Sequence, residues 1–128
     1  MKTVVFDLDG TLADTSGDLI AAANACFRDM DAGDLLDAAR DAGTALRGGR
    51  AMLRLGMTRM GRPEDDPLID EYYDALLYHY ARDLDTHTRL YEGAMEAVAD
   101  LKARGYLVAV CTNKPEALAH DLLVRLGV

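Results

Sequence analysis

Two aspartates one residue apart, Asp7 and Asp9, stand where an apolar run gives way to a Gly-Thr turn, in VVFDLDGTLADT over residues 4–15. In an extended strand alternate residues share a face, so both carboxylates are expected to point the same way, with Leu8 turned to the other side. Two negative charges that close repel strongly unless a cation or a proton lies between them. Gly10 permits close backbone approach and Thr11 adds a hydroxyl donor. The alternative is an acidic strand end standing in water.

A second stretch with chemical potential is Thr112-Asn113-Lys114-Pro115. It ends the apolar run YLVAVC, residues 106–111, and Pro115 starts a helical pattern. A hydroxyl at a strand end, followed by free backbone N–H groups at a helix start, makes a phosphate site. Lys114 either faces that site or is a helix-start charge pointing to water. A third stretch, residues 44–62, carries Arg47, Arg50, Arg54, Arg59 and Arg62 without one acidic residue. Around Gly48 and Gly49 it reads as a substrate-facing loop, the glycines letting backbone pass close to a ligand and Arg47 and Arg50 gripping a carboxylate or phosphate. The competing reading is a solvated helix face with Met52, Leu53, Leu55 and Met57 turned inward, and this is favoured for Arg54, Arg59 and Arg62.

The elements that must position these residues follow from periodicity. Val4, Val5 and Phe6 read as a short buried strand. Asp14, Thr15 and Ser16 offer helix caps, and Leu19, Ile20, Ala23 and Phe27 recur at helical spacing, which predicts a helix over 17–30. Asp34 is placed to cap a second, short helix with Leu35, Leu36 and Ala39, ended by Gly43. Pro67 suits the first position of a longer helix whose apolar face holds Ile69, Tyr72, Tyr73, Leu76, Leu77, Tyr80 and Leu84. The tyrosines read as core, and His79 and His87 as surface or helix-end residues. Residues 94–104 form a further helix with Met95, Val98 and Leu101 inward and Gly105 as its left-handed C-terminal cap. The run 106–111 reads as a parallel strand buried on both faces, and Leu118, Leu122, Leu123 and Leu126 stripe a last helix.

Asp7, Leu8, Asp9, Gly10 and Thr11 resemble the first signature motif, Asp-x-Asp-Gly-Thr, of the haloacid dehalogenase-like hydrolases. Leu12, Ala13 and Asp14 look like the small phosphatases of that group. The resemblance implies that Asp7 is the nucleophile that takes the phosphoryl group and Asp9 the general acid and base, with Mg2+ on the Asp7 carboxylate and the Asp9 backbone carbonyl. A carboxylate forms an acyl phosphate, and a neighbouring acid protonates the leaving alcohol. The group's dehalogenases generally lack the second aspartate, so Asp9 favours phosphoryl transfer. Thr112 and Asn113 resemble the second motif, implying phosphate binding by Gly10, Thr11, Thr112, Asn113 and Lys114. Cap substrate contacts fall on Arg47, Gly48, Gly49 and Arg50, although the two glycines are adjacent where Gly-x-Gly is commoner. Tyr91-Glu92-Gly93 resembles the re-entry turn to the core.

The implied fold class is α/β: a partial Rossmann-like parallel-sheet core, residues 1–14 and 89–128, with an inserted α-helical cap, residues 15–88. Members continue after a Leu-Gly turn like Leu126-Gly127 into strands bearing a lysine and an acidic pair. The chain is thus expected to be truncated before its last two motifs, leaving a sheet edge open and the carboxylates without their compensating lysine. The implied function, in the full-length form, is magnesium-dependent hydrolysis of a small phosphate monoester, phosphoglycolate-like, through an aspartyl phosphate. A sugar phosphomutase of the same group and a catalytically incompetent module that self-associates through the open sheet edge are the alternatives.

Composition bounds these readings. The chain has 128 residues, 14 basic and 22 acidic, for a net charge of −8, with 50% hydrophobic residues. One domain's length and a sizeable core follow, and the acidic balance argues against a nucleic-acid partner. Met1-Lys2 leads straight into the first strand and no apolar stretch approaches a membrane span, so a cytoplasmic enzyme without a membrane partner is expected. Cys26 and Cys111 belong to no Cys-x-x-Cys pair and are expected to be buried thiols.

Overall fold

The computed structural model describes residues 2–128. Strand β1 (Thr3–Phe6) pairs in parallel with β4 (Leu107–Val110), Thr3 opposite Leu107 and Phe6 opposite Val110. Between them in sequence lie β2 (Ala13–Asp14), helices α1 (Ser16–Asp29), α2 (Ala42–Ala45), α3 (Gly49–Arg59) and α4 (Leu68–Arg82), strand β3 (Arg89–Leu90) and helix α5 (Ala94–Ala103). Helix α6 (Glu116–Leu126) follows β4. The chain is therefore a mixed α/β fold whose parallel strands are joined through helices, as expected. β2 and β3 form an antiparallel ribbon, Ala13 opposite Leu90, which ties the outgoing and returning segments together. No helix among the described residues is long and apolar enough to cross a membrane.

The α1–α4 group supplies most of the core. Phe27, Ala23 and Cys26 of α1, Met52, Leu53 and Met57 of α3, and Leu76 and Tyr80 of α4 are buried together. Each fully buried large side chain contributes about 1.5–3 kcal/mol relative to exposure. The inward face expected for Met52, Leu53 and Met57 is observed, with Leu55 half-buried. Burial also pushes the Cys26 thiol up to about 11, with Asp29 adding to the effect. Gly105 adopts the left-handed conformation expected of it, and Tyr106 N–H returns to the Leu101 carbonyl.

Three expectations are corrected. Residues 34–41 form no helix. Side chains there take the backbone bonds that a helix would need: Asp37 Oδ1 accepts from the N–H groups of Ala39 and Arg40, and Asn24 of α1 pairs with both the N–H and the carbonyl of Leu36. Neither parallel strand is buried on both faces. Val4, Phe6, Val108 and Val110 face the helices, whereas Val5 and Leu107 are 57% and 55% exposed, because no helix among the described residues covers that side. For the same reason Cys111, which continues the outward alternation of β4, is exposed, and only Cys26 is buried.

The irregular segment is anchored by an ion pair. Arg59, at the end of α3, meets the buried Asp41 with both guanidinium nitrogens at 2.7 Å, and Asp41 also accepts the Asp37 N–H at 2.8 Å. Arg59 thus spends its charge on structure, as does Arg62 on Asp66 at 2.8 Å. The Arg59 hydrogen bonds, followed by the Asp37 N–H, hold the Asp41 carboxyl down to about 2. An unfolded aspartate titrates near pH 3.9. The lowered folded value makes this contribution complete above about pH 4 and lost as pH falls toward about 2. Urea unfolding of wild type and Asp41→Asn is expected to show a stability gap that is widest above about pH 5 and closes by about pH 2. A gap that stays constant with pH would contradict the assignment.

Candidate functional site

The two motif stretches meet where β1 and β4 end side by side. After Phe6 the chain turns: Leu8 is fully buried, its carbonyl accepts from the N–H groups of Thr11, Leu12 and Ala13, and Gly10 N–H bonds the Ala13 carbonyl at 2.8 Å. Gly10 has φ +79°, and the Leu46 side chain fills the space where its Cβ would stand, so glycine is needed twice over at this position. The turn gives the two carboxylates different surroundings. Asp7 is exposed, one oxygen accepting the Leu8 N–H at 2.8 Å. Asp9 is 16% exposed, and its Oδ1 accepts from the fully buried Thr15 hydroxyl at 2.6 Å and from Lys114 Nζ at 3.1 Å.

Lys114 does not point to water. Its side chain is 4% exposed, with Nζ between Asp9 and Tyr80, donating to the phenol oxygen and lying 4.1 Å from the ring centroid. Burial pushes its ammonium below the usual lysine value, while Asp9 pulls it back up. Burial, with Asp9 and Asp18 in support, pushes the Tyr80 phenol above the ordinary tyrosine value and keeps it neutral. The Asp9 carboxylate thus has its charge met by Lys114.

A cavity of about 150 Å³ opens at this point, lined by Asp9, Asn113 and Lys114 from the strand ends and by Arg47, Gly48 and Gly49 from the turn before α3. Tyr80, Leu76 and Leu118 form part of its wall. Gly48, with φ +105°, caps α3 in a conformation that other residues rarely reach. Residues 47–49 therefore bring the α3 N-terminus and an exposed guanidinium to the same cavity as Asp9. Arg50 lies outside it, paired with Asp70 and stacked on Tyr73 at 4.2 Å. Thr112 lines a second concavity, between the end of β4 and α6, which shares Lys114 with the first, and its hydroxyl accepts the Lys114 N–H at 3.2 Å. Thr11 and Asp7 are exposed and line neither.

Sequence reasoning missed Tyr80 and Thr15 as neighbours of Asp9. Tyr80 carries an apolar-face spacing on α4 that is indistinguishable from core, and Thr15 reads as a helix cap. No local signal separates either from its structural role. Asp18 was missed too: it is buried, accepts from His87 N–H at 2.9 Å and Thr88 Oγ1 at 2.7 Å, and so fastens α1 to the segment returning into β3.

The donor chemistry around Asp7 and Asp9 suits Mg2+, a hard cation held through one or two carboxylates together with phosphate and waters. Asp7 keeps one carboxylate oxygen clear of its Leu8 bond, and the exposed position allows water to complete a shell. Among the described residues no group of three His, Cys, Asp or Glu forms an all-protein metal cage.

In comparison with known proteins, the family model for haloacid dehalogenase-like hydrolases matches residues 1–128. A phosphoglycolate phosphatase of Agrobacterium fabrum is 37% identical, covering 97% of this chain and 53% of the relative. An N-acetylmuramic acid 6-phosphate phosphatase of Pseudomonas putida is 34% identical, covering 100% of this chain and 56% of the relative. The crystal structure of a predicted phosphoglycolate phosphatase from Haemophilus somnus superposes with a TM-score of 0.83 at 24% identity, covering 99% of this chain and 58% of that one. The last is a likeness of fold. The chain spans about half the length of the curated relatives it matches.

Proposed function

The chain belongs to the haloacid dehalogenase-like hydrolases, and on that premise we propose that the protein, in its full-length form, is a phosphatase of small phosphate monoesters that works through Asp7 and Asp9. The observation that carries this reading is the shared cavity: Asp9, Asn113 and Lys114, from two stretches far apart in sequence, line it together with Arg47, Gly48 and Gly49. Residues 1–14 and 89–128 are proposed as core and 15–88 as the helical cap over it.

Asp7 attacks phosphorus through its free carboxylate oxygen, forming an aspartyl phosphate as the bond to the leaving oxygen breaks. Asp9 gives that oxygen its proton, then takes one from the water whose attack on phosphorus releases Asp7. Thr15 and Lys114 both bond Asp9 Oδ1, which orients the carboxyl and leaves Oδ2 for the proton. The Thr112 hydroxyl, accepting from Lys114 N–H, keeps its own proton to donate to a phosphoryl oxygen, and Gly10, Thr11 and Asn113 are proposed for the same phosphate-binding role. The Asp7 carboxylate and Asp9 carbonyl would hold Mg2+, which neutralises charge on the carboxylates and phosphate. Arg47 and the Gly48-Gly49 turn favour a leaving group with an anionic end. A cytoplasmic location and a small phosphorylated metabolite as substrate complete the proposal.

A steady-state screen of small phosphate esters, with and without magnesium, is expected to give magnesium-dependent release of inorganic phosphate. Isomerised sugar phosphate without phosphate release would instead establish the mutase. Turnover of no ester, accompanied by self-association in light scattering, would leave a binding module that associates through the open edge of the β1–β4 sheet.

A further inference from the structure

Tyr80 stands outside every motif of this chain, yet of the α4 residues that line the strand-end cavity it is the one that accepts a hydrogen bond from Lys114. It is 1% exposed, and its phenol oxygen accepts from Lys114 Nζ while the ring lies 4.1 Å from the same ammonium. The Lys114 ammonium has two polar partners among the described residues, this phenol and the Asp9 carboxylate at 3.1 Å. A buried ammonium keeps its place only where its donors are met, because an unmet one costs more than a surface side chain would. We propose that Tyr80 is a positioning residue: its phenol holds Lys114 on Asp9, so the arrangement of the acid group depends on α4 being docked over the ends of β1 and β4. The role rests on the phosphatase reading for its catalytic meaning, but the contact itself does not.

The geometry gives the two halves of Tyr80 separable tasks. Its ring packs with Leu76 and Leu19 in the cavity wall and would do so without the hydroxyl. Of the two, only the phenol oxygen accepts a hydrogen bond from the Lys114 ammonium. A residue serving only as core would be replaced by phenylalanine at no cost to Lys114, whereas a positioning residue would release it.

The test uses amine labelling of the folded chain read by mass spectrometry. The chain has three lysines, and Lys2 and Lys102 are exposed, so they serve as internal references. Lys114 is expected to label far more slowly than both in wild type. In Tyr80→Phe its labelling is expected to rise about tenfold, the loss of one charge-assisted hydrogen bond, while Lys2 and Lys102 stay unchanged. Wild-type protection of Lys114 in Tyr80→Phe would overturn the proposal. Should that variant fail to fold, Lys114→Met read by nitration of Tyr80 decides it: increased nitration supports the contact and unchanged nitration overturns it. On the ester that the protein hydrolyses, Tyr80→Phe is expected to lower kcat about tenfold with KM within about twofold, and an unchanged kcat overturns the catalytic role. If no ester is hydrolysed but the labelling changes as expected, the phosphatase reading falls and the Tyr80–Lys114 contact stands.

Discussion

Asp7→Asn is expected to abolish phosphate release, with kcat falling on the order of 10⁴-fold or more, as removal of a covalent nucleophile does. The substitution keeps the shape of the side chain and an oxygen able to accept the Leu8 N–H, which is the one hydrogen bond Asp7 makes within the described residues. Because Asp7 is exposed, folding should be unaffected, and the thermal midpoint is expected to match wild type. Asp9→Asn should differ in kind. It loses the proton carrier, so release of a poor leaving alcohol should suffer more than release of an acidic phenol that needs no protonation. Steady-state phosphate release from both ester types, in both variants, separates the two roles. Full turnover of Asp7→Asn with magnesium present would remove the nucleophile assignment.

Phe27→Ala is expected to cost about 3–5 kcal/mol of unfolding free energy, for it deletes the largest apolar side chain at the centre of the α1–α3 contact. Phe27 is fully buried, and its ring occupies the place where a Cβ on Gly56 would stand. Gly56→Ala therefore overpacks the same contact, at a cost of about 1–3 kcal/mol, against a gain of up to about 1 kcal/mol in helix propensity. In the Phe27→Ala background the clash is gone. There Gly56→Ala should become neutral or stabilising, giving a coupling on the order of 1–3 kcal/mol in a double-mutant cycle by urea unfolding. Additive costs would mean that the ring and the glycine do not meet as described.

The motif residues were legible because their signals are local. An apolar run ending in Asp7-Leu8-Asp9-Gly10-Thr11, and another ending in Thr112-Asn113, announce strand ends whatever lies elsewhere, and the α1 and α4 stripes announce helices. The parts that escaped depend on partners distant in the chain. Leu35, Leu36 and Ala39 have helical spacing, but Asn24 and Arg59 claim the segment from other elements. Lys114 suits a site residue and a helix-start charge equally by its position in the chain, and it is Tyr80 and Asp9, distant in sequence, that enclose it. The ribbon of β2 and β3 spans two residues on each side, too short for any alternation to show. The outward faces of Val5 and Leu107 were unreadable for another reason: an apolar run records what a strand is made of, not how many layers lie over it.

The pairing of Thr3 with Leu107 also sets an order of events in folding. Closing so long a loop is entropically costly, and contacts of high sequence separation slow folding. The α1–α4 contacts, far closer in sequence, are expected to form first and to shorten the effective loop by bringing β2 toward β3. During synthesis β1 emerges well before β4, the strand it pairs with among the described residues. Val4, Val5 and Phe6 thus stay an unpaired apolar segment until β4 is made, which makes β1 a point at which chaperone binding or premature association would begin.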